Sequence, residues 1–169
     1  MANTYVLIST VTVGSGGAST IDFTSIPATY TDLKLVCSLR NSGANNWAGL
    51  IFNGSAASFT MKNIKAYATT ATSQSVTDYI YVAQQNMSTD TSNTFSSVEV
   101  YIPNYTSSSN KSFSIYGVRE GNSATNNDLF LWSARYTSSS AITSMQLTSN
   151  GSGTFVQNST AYLYGIKNS

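Results

Sequence analysis

The chain has no histidine, one cysteine and two prolines, and Lys, Arg, Asp and Glu together make up only 9% of its 169 residues. Each shortage excludes something. Without imidazole there is no Ser-His-Asp triad, no His-based acid–base catalysis and no histidine metal ligand. A lone Cys37 cannot close an internal disulfide, so oxidative cross-links do not hold the fold. A reactive thiol also needs a base or cation beside it, and Cys37 reads instead as a small core residue. No apolar run approaches the ~20 residues of a membrane helix. The opening "MANTYVLISTVTVGSGG" lacks a basic start, and Ser9 and Thr10 interrupt its apolar run, so it reads as a strand and not as a signal peptide. The expectation is a soluble chain with no membrane partner.

The charges that exist are balanced. The formal net charge is +1, and the Lys and Arg residues are scattered from Lys34 to Lys167 without forming a basic stripe. Such a distribution cannot displace counterions from a phosphate backbone, so nucleic acid is not an expected partner. The place of charge is taken by Ser, Thr and Asn, roughly 40% of the residues, against about 25% charged residues in an ordinary domain. Hydrophobic residues at 41% and aromatics at 12% still provide a core, which disordered chains lack. The length fits one domain spanning residues 1–169.

Period-two alternation dominates. In "DLKLVCSLR", Leu33, Leu35, Cys37 and Leu39 share one face, with Lys34, Ser38 and Arg40 on the other. Similar runs are predicted at 4–13, 20–23, 47–52, 78–84, 95–102, 112–119, 129–136, 142–148 and 161–166, several of them separated by turn pairs such as Asn53-Gly54, Gly121-Asn122 and Asn150-Gly151. The segment 58–67 is ambiguous and is compatible with a short helical turn. The predicted fold is all-β, an antiparallel β-sandwich, jelly-roll-like. Gly117 and Gly165 lie inside strand patterns, where glycine marks a bulge or a close backbone approach.

One pentapeptide, Tyr-Thr-Ser-Ser-Ser, occurs twice, at 105–109 and 136–140. Counting strand directions puts both copies at the same end of the sandwich. Hydroxyl-driven turns explain them internally, while Tyr105 and Tyr136 are alternative contact residues, together with Tyr5 and Val6 near the N-terminus. Catalytic candidates are absent: seven carboxylates are dispersed without a paired motif, and "GSGG" leads from strand to strand and not into a helix. The best metal candidate is calcium at Asp128 with Asn122, Asn126 and Asn127, but no EF-hand spacing is present and Asn-rich loops are usually turns. No cofactor is expected. Trp47 and Trp132 suit sugar stacking if exposed, and burial is the commoner outcome.

The stretch "TSIPATYTDLKLVCSLR" at 24–40 resembles a recurrent pattern in virion surface proteins of tailed bacteriophages, especially phages of aquatic bacteria. The resemblance continues through "NTFSSVEVYIPNYTSSSNKSF" and the terminal "TAYLYGIKNS", and so covers most of the chain. It implies a β-sandwich virion structural protein without catalytic residues. The form it favours is a capsid decoration (cement) protein, assembled as a homotrimer on the outside of the major capsid protein lattice after synthesis in the host cytoplasm. The alternative is a tail-fibre or receptor-binding domain for host glycans, which would ordinarily carry an attachment segment and a repetitive shaft. In physical terms the Ile-Pro-Ala-Thr-Tyr-Thr-Asp-Leu core reads as a corner: Pro27 fixes φ and lacks a donor, and Tyr30 and Asp32 complete a turn into the next strand.

Overall fold

A computed structural model describes residues 4–44, 47–77, 79–122 and 127–167. Among them there are twelve strands and no helix, so none crosses a membrane as a helix. The strands are β1 (Tyr5–Thr12), β2 (Thr20–Phe23), β3 (Asp32–Leu39), β4 (Trp47–Phe52), β5 (Phe59–Tyr67), β6 (Thr70–Thr77), β7 (Tyr81–Gln84), β8 (Ser96–Ile102), β9 (Lys111–Arg119), β10 (Asp128–Tyr136), β11 (Met145–Ser149) and β12 (Thr160–Ile166). They form two antiparallel sheets, a large one in the order β1-β12-β3-β8-β9-β10-β5-β6 and a small one in the order β2-β11-β4-β7. The expected antiparallel β-sandwich is the fold. Its sheets are unequal, eight strands against four, whereas a jelly roll has eight strands in all.

The alternation predicted from the sequence is visible as burial. In β8, Val98, Val100 and Ile102 are buried while Ser97, Glu99 and Tyr101 face out; in β10, Phe130, Trp132, Ala134 and Tyr136 are buried between exposed neighbours. The inner faces of the two sheets share one core. At one end of it, Phe52 of the small sheet lies edge-on to Phe59, Phe113 and Tyr136 of the large sheet, with centroids 5.7, 5.5 and 5.4 Å away. Phe59 and Tyr136 themselves stack at 4.7 Å. Cys37 is in this core, as expected, and so is Trp132; Trp47 is half-buried against Trp132 at 6.2 Å.

Two predictions about elements are corrected. The ambiguous segment 58–67 is a strand, β5, in unbroken register with β10. The following strand, β6, has no apolar alternation in "TATSQSVT" and escaped the pattern altogether. Gly165 is a close approach of the kind expected: a Cβ there would lie 2.3 Å from the ring of Tyr30. Gly117 carries no such restriction, its nearest neighbour being at 3.6 Å.

Phe52→Ala removes a ring that links the sheets and should cost roughly 3–5 kcal/mol, read as a lowered midpoint in urea unfolding; a loss below about 1 kcal/mol would remove Phe52 from that role. Alkaline pH should also destabilise. Burial pushes the Cys37 thiol well above its ordinary 9.0 and raises the phenols of Tyr79 and Tyr105 above 10.0. These groups keep their protons longer when folded, so their stabilisation is complete below the unfolded values and is lost as pH rises past them. Tyr101, raised by its hydrogen bond to Asp32, and Lys34, raised by its hydrogen bond to Glu99, act in the same sense, while Lys111, lowered from 10.5 by burial, opposes them, one group against five. Melting temperature is therefore expected to fall above about pH 9.0, with the onset moving toward 10.0 in Cys37→Ala. A temperature that stays level across this range would contradict the assignment.

Candidate contact surface

The duplicated pentapeptide resolves first. Both copies lie at the same end of the large sheet, in the β8–β9 and β10–β11 connections. In each, the hydroxyl of the third residue accepts from the backbone N–H of the fifth: Ser107 Oγ from Ser109 at 2.9 Å and Ser138 Oγ from Ser140 at 3.1 Å. The same five residues make the same turn twice. The two loops are also joined, because Ile142 N donates to Tyr105 O at 3.0 Å and Lys111 Nζ donates to the carbonyls of Ser138 and Ser140. Lys111 is only 2% exposed, and burial lowers its pKa.

This placement corrects the expectation that Tyr105 and Tyr136 form a contact end. Tyr105 is fully buried and donates its hydroxyl to the Pro27 carbonyl; Tyr136 is 5% exposed, against Phe52 and Phe59. Each ring begins its loop by anchoring it in the core. The Ile26–Leu33 segment is likewise consumed by the fold. Ile26 N donates to Thr143 O, Thr31 N donates to Ile166 O, the Tyr30 ring covers Gly165, and the buried Asp32 carboxylate accepts from Tyr101 Oη at 2.8 Å and Asn104 N at 2.9 Å. It is the structural corner the sequence suggested.

The opposite end of the sheet holds a cluster of four buried charges, Arg40, Asp90, Arg119 and Asp128. Arg119 donates to Asp128 through Nε at 3.0 Å and Nη2 at 2.8 Å, and through Nη1 to Asp90 at 3.2 Å. Arg40 donates to the carbonyls of Asp90, Thr91 and Thr94. These contacts clamp the β7–β8 connection. They also place a guanidinium on Asp128, the carboxylate of the calcium candidate, and among the described residues no three His, Cys, Asp or Glu side chains converge on a metal position. Asn126 of that candidate lies outside the described residues.

What remains is the outer face of the large sheet. Strand register sets Ile64, Leu131 and Tyr116 side by side on β5, β10 and β9, and they are 60%, 52% and 47% exposed. Leu129 and Val118 form the next row, and Tyr101 lies diagonally adjacent. Tyr5 reaches over from the sheet edge, edge-on to Tyr164 at 6.5 Å, and helps enclose a shallow cavity of about 230 Å³ with Lys34, Glu99, Tyr101, Tyr116 and Leu131. Lys34 and Glu99 pair across it at 2.7 Å. Tyr5 therefore belongs to this surface, while Val6, one residue on, points away from it and is half-buried. The exposed face of an antiparallel sheet is ordinarily polar. Here it carries an apolar centre, with Lys62 and Arg135 exposed on neighbouring rows.

Sequence reasoning missed Tyr101, Tyr116, Leu129, Leu131 and Ile64. A signal existed: "DLFLW" and "FSIYGV" are apolar on both parities, which a strand covered on one face does not require.

Ser107→Ala and Ser138→Ala should each cost about 0.5–1.5 kcal/mol, and Tyr136→Ser about 3 kcal/mol or more, measured by denaturant unfolding. A Tyr105→Ser, Tyr136→Ser double variant that folds with unchanged stability would return these rings to the surface role first expected of them. Comparison with family models, with curated proteins and with solved structures finds no match to this chain.

Proposed function

We propose that this protein is a non-enzymatic assembly protein, and specifically a capsid decoration protein that binds the outside of a tailed phage's major capsid protein lattice through the outer face of its large sheet. The observation that carries the reading is the exposed row Ile64, Leu131 and Tyr116 with its flanking aromatics. Contiguous apolar surface of this kind marks interaction sites, and rigid aromatic rings supply much of the energy at protein contacts. The sequence resemblance to virion surface proteins supplies the biological setting.

Charge favours a partner different from the chain itself. The exposed part of the face carries the cations Lys34, Lys62 and Arg135 against the carboxylate Glu99, with Asp32 buried beneath the Tyr101 hydroxyl. Stacking two copies face to face would bring like charges together. An apolar patch with an acidic rim, presented by another protein, complements it better.

The cavity around Tyr5, Tyr101 and Tyr116 favours a second reading, since tyrosine rings beside a Lys34–Glu99 pair are also the elements of a sugar site. That reading places the chain on a tail fibre, bound to host glycans.

Antibody labelling of intact virions, with copies counted per particle by electron microscopy, separates the two. Hundreds of copies over the head are expected; a few at the tail tip would sink the capsid reading. The Leu131→Asn, Tyr116→Asn variant should lose head binding at least tenfold while its melting temperature stays near that of the parent. Undiminished binding by the folded variant would move the contact off this face.

A further inference from the structure

The large sheet ends in two edges, β1 and β6, and the small sheet in β2 and β7. Sheet edges expose unpaired N–H and C=O groups, and proteins blunt them with short strands, bulges, prolines or charges. Three of the four edges here follow that rule. β2 and β7 are four residues each, and β1 carries a register shift between Leu7 and Ser9. β6 does not. It runs eight residues, pairs with β5 in unbroken register from Thr70 to Thr77, and contains no charge, no proline and no glycine. All its residues but Val76 are exposed, so the strand is held almost entirely through its ladder to β5. An eight-residue template lies open, on a strand that gains little from the core.

We propose that the free edge of β6 pairs antiparallel with β6 of a second copy, joining two large sheets through a two-fold axis normal to them. The chemistry of an edge demands an extended strand as occupant, and the β6 sequence suits itself. A two-fold normal to the sheet keeps outer faces together, so it pairs positions of equal parity and centres on Ser73 or Gln74. Centred on Ser73, it sets Thr72 against Gln74, Ala71 against Ser75 and Thr70 against Val76; centred on Gln74, it sets Ser73 against Ser75 and Thr72 against Val76. No charge meets its like in either register. The nearest cations, Lys62 and Lys65, are on β5, three strand spacings from their counterparts, or about 14 Å. That exceeds the screening length of about 8 Å at physiological salt.

The alternative closure is a ring in which β6 of each copy meets β1 of the next, as a homotrimer would allow. It is disfavoured by the irregular β1 edge, where the shift between Leu7 and Ser9 breaks the even spacing a partner strand needs. The pairing is independent of what the outer face binds.

The test uses the full chain. Sedimentation velocity over a micromolar concentration series is expected to give twice the 18.0 kDa chain mass. Ser73→Lys, which sets like charges at the axis or one residue from it, should weaken association at least tenfold and leave the thermal melt of the dilute protein unaltered. Tyr116→Asn, on the outer face, should leave association intact. Because Cys37 is buried, single-cysteine placement reports the register: Ser73→Cys or Gln74→Cys should form an intermolecular disulfide on mild oxidation, as residues facing their own counterparts lie within bridging distance. A monomer at all concentrations, a trimer, or failure of both cysteine variants to cross-link would each overturn the proposal.

Discussion

The packing of a four-stranded sheet against the inner face of an eight-stranded one is the constraint from which the rest of this molecule follows. Both sheets must bury one face, and rings meet across them in two clusters, Phe52 over Phe59, Phe113 and Tyr136, and Trp47 over Phe130 and Trp132. Four strands span only part of eight, however. The small sheet covers only part of the large one, and the edge strand β6 has almost nothing above it. Among the described residues nothing covers the outer face of the large sheet, yet the same strands that feed the core carry Leu131, Leu129 and Tyr116 outward. A fully sheathed core and an uncovered apolar face are thus products of one mismatch.

The scarcity of charge shapes how the loops are held. A chain with so few ionic groups spends several of them inside: Arg119, Asp90 and Asp128 clamp one end, and Lys111 pins the other. Buried ions cost desolvation and are tolerated only when their hydrogen bonds are met, and the Arg119 fork meets two carboxylates. The rest of the loop structure rests on hydroxyls and amides. Asn53 shows the economy of this. It sits at positive φ in the turn after β4, while its side chain accepts from Thr143 N and Ser144 N and donates to Ala141 O, tying that turn to the second Tyr-Thr-Ser-Ser-Ser loop.

Much of this was legible in the residues. β3, β8 and β10 could be read because one face is buried and the alternation records it, and the common end of the two pentapeptides followed from strand parity alone. What escaped did so for two opposite reasons. β6 buries nothing, so hydrophobic periodicity had no trace to leave in "TATSQSVT". β5 buries one face but sets Ile64 on the other, with Ala66 and Tyr67 closing the strand, and this blurred the period that should have marked it. Tyr105 and Tyr136 misled differently: a tyrosine beside a hydroxyl-rich turn looks like a surface ring, and only the third dimension shows it turned under the loop it anchors.

The same distinction bears on the surface itself. A patch made of residues that failed to find a place in the core would be irregular, but Ile64, Leu131 and Tyr116 occupy equivalent positions on three adjacent strands. Their spacing is the strand spacing, fixed by backbone hydrogen bonds and not by side-chain packing. A partner laid on this face therefore meets rings and aliphatic groups on a rigid lattice about 4.8 Å apart, with little conformational entropy left to lose on binding. Flexible Ser and Thr hydroxyls surround that centre and can adapt to the partner's backbone. Rigid apolar contacts framed by adaptable hydrogen bonds are what a small protein needs if it is to bind with few charges, and the sheet supplies them without any element added for the purpose.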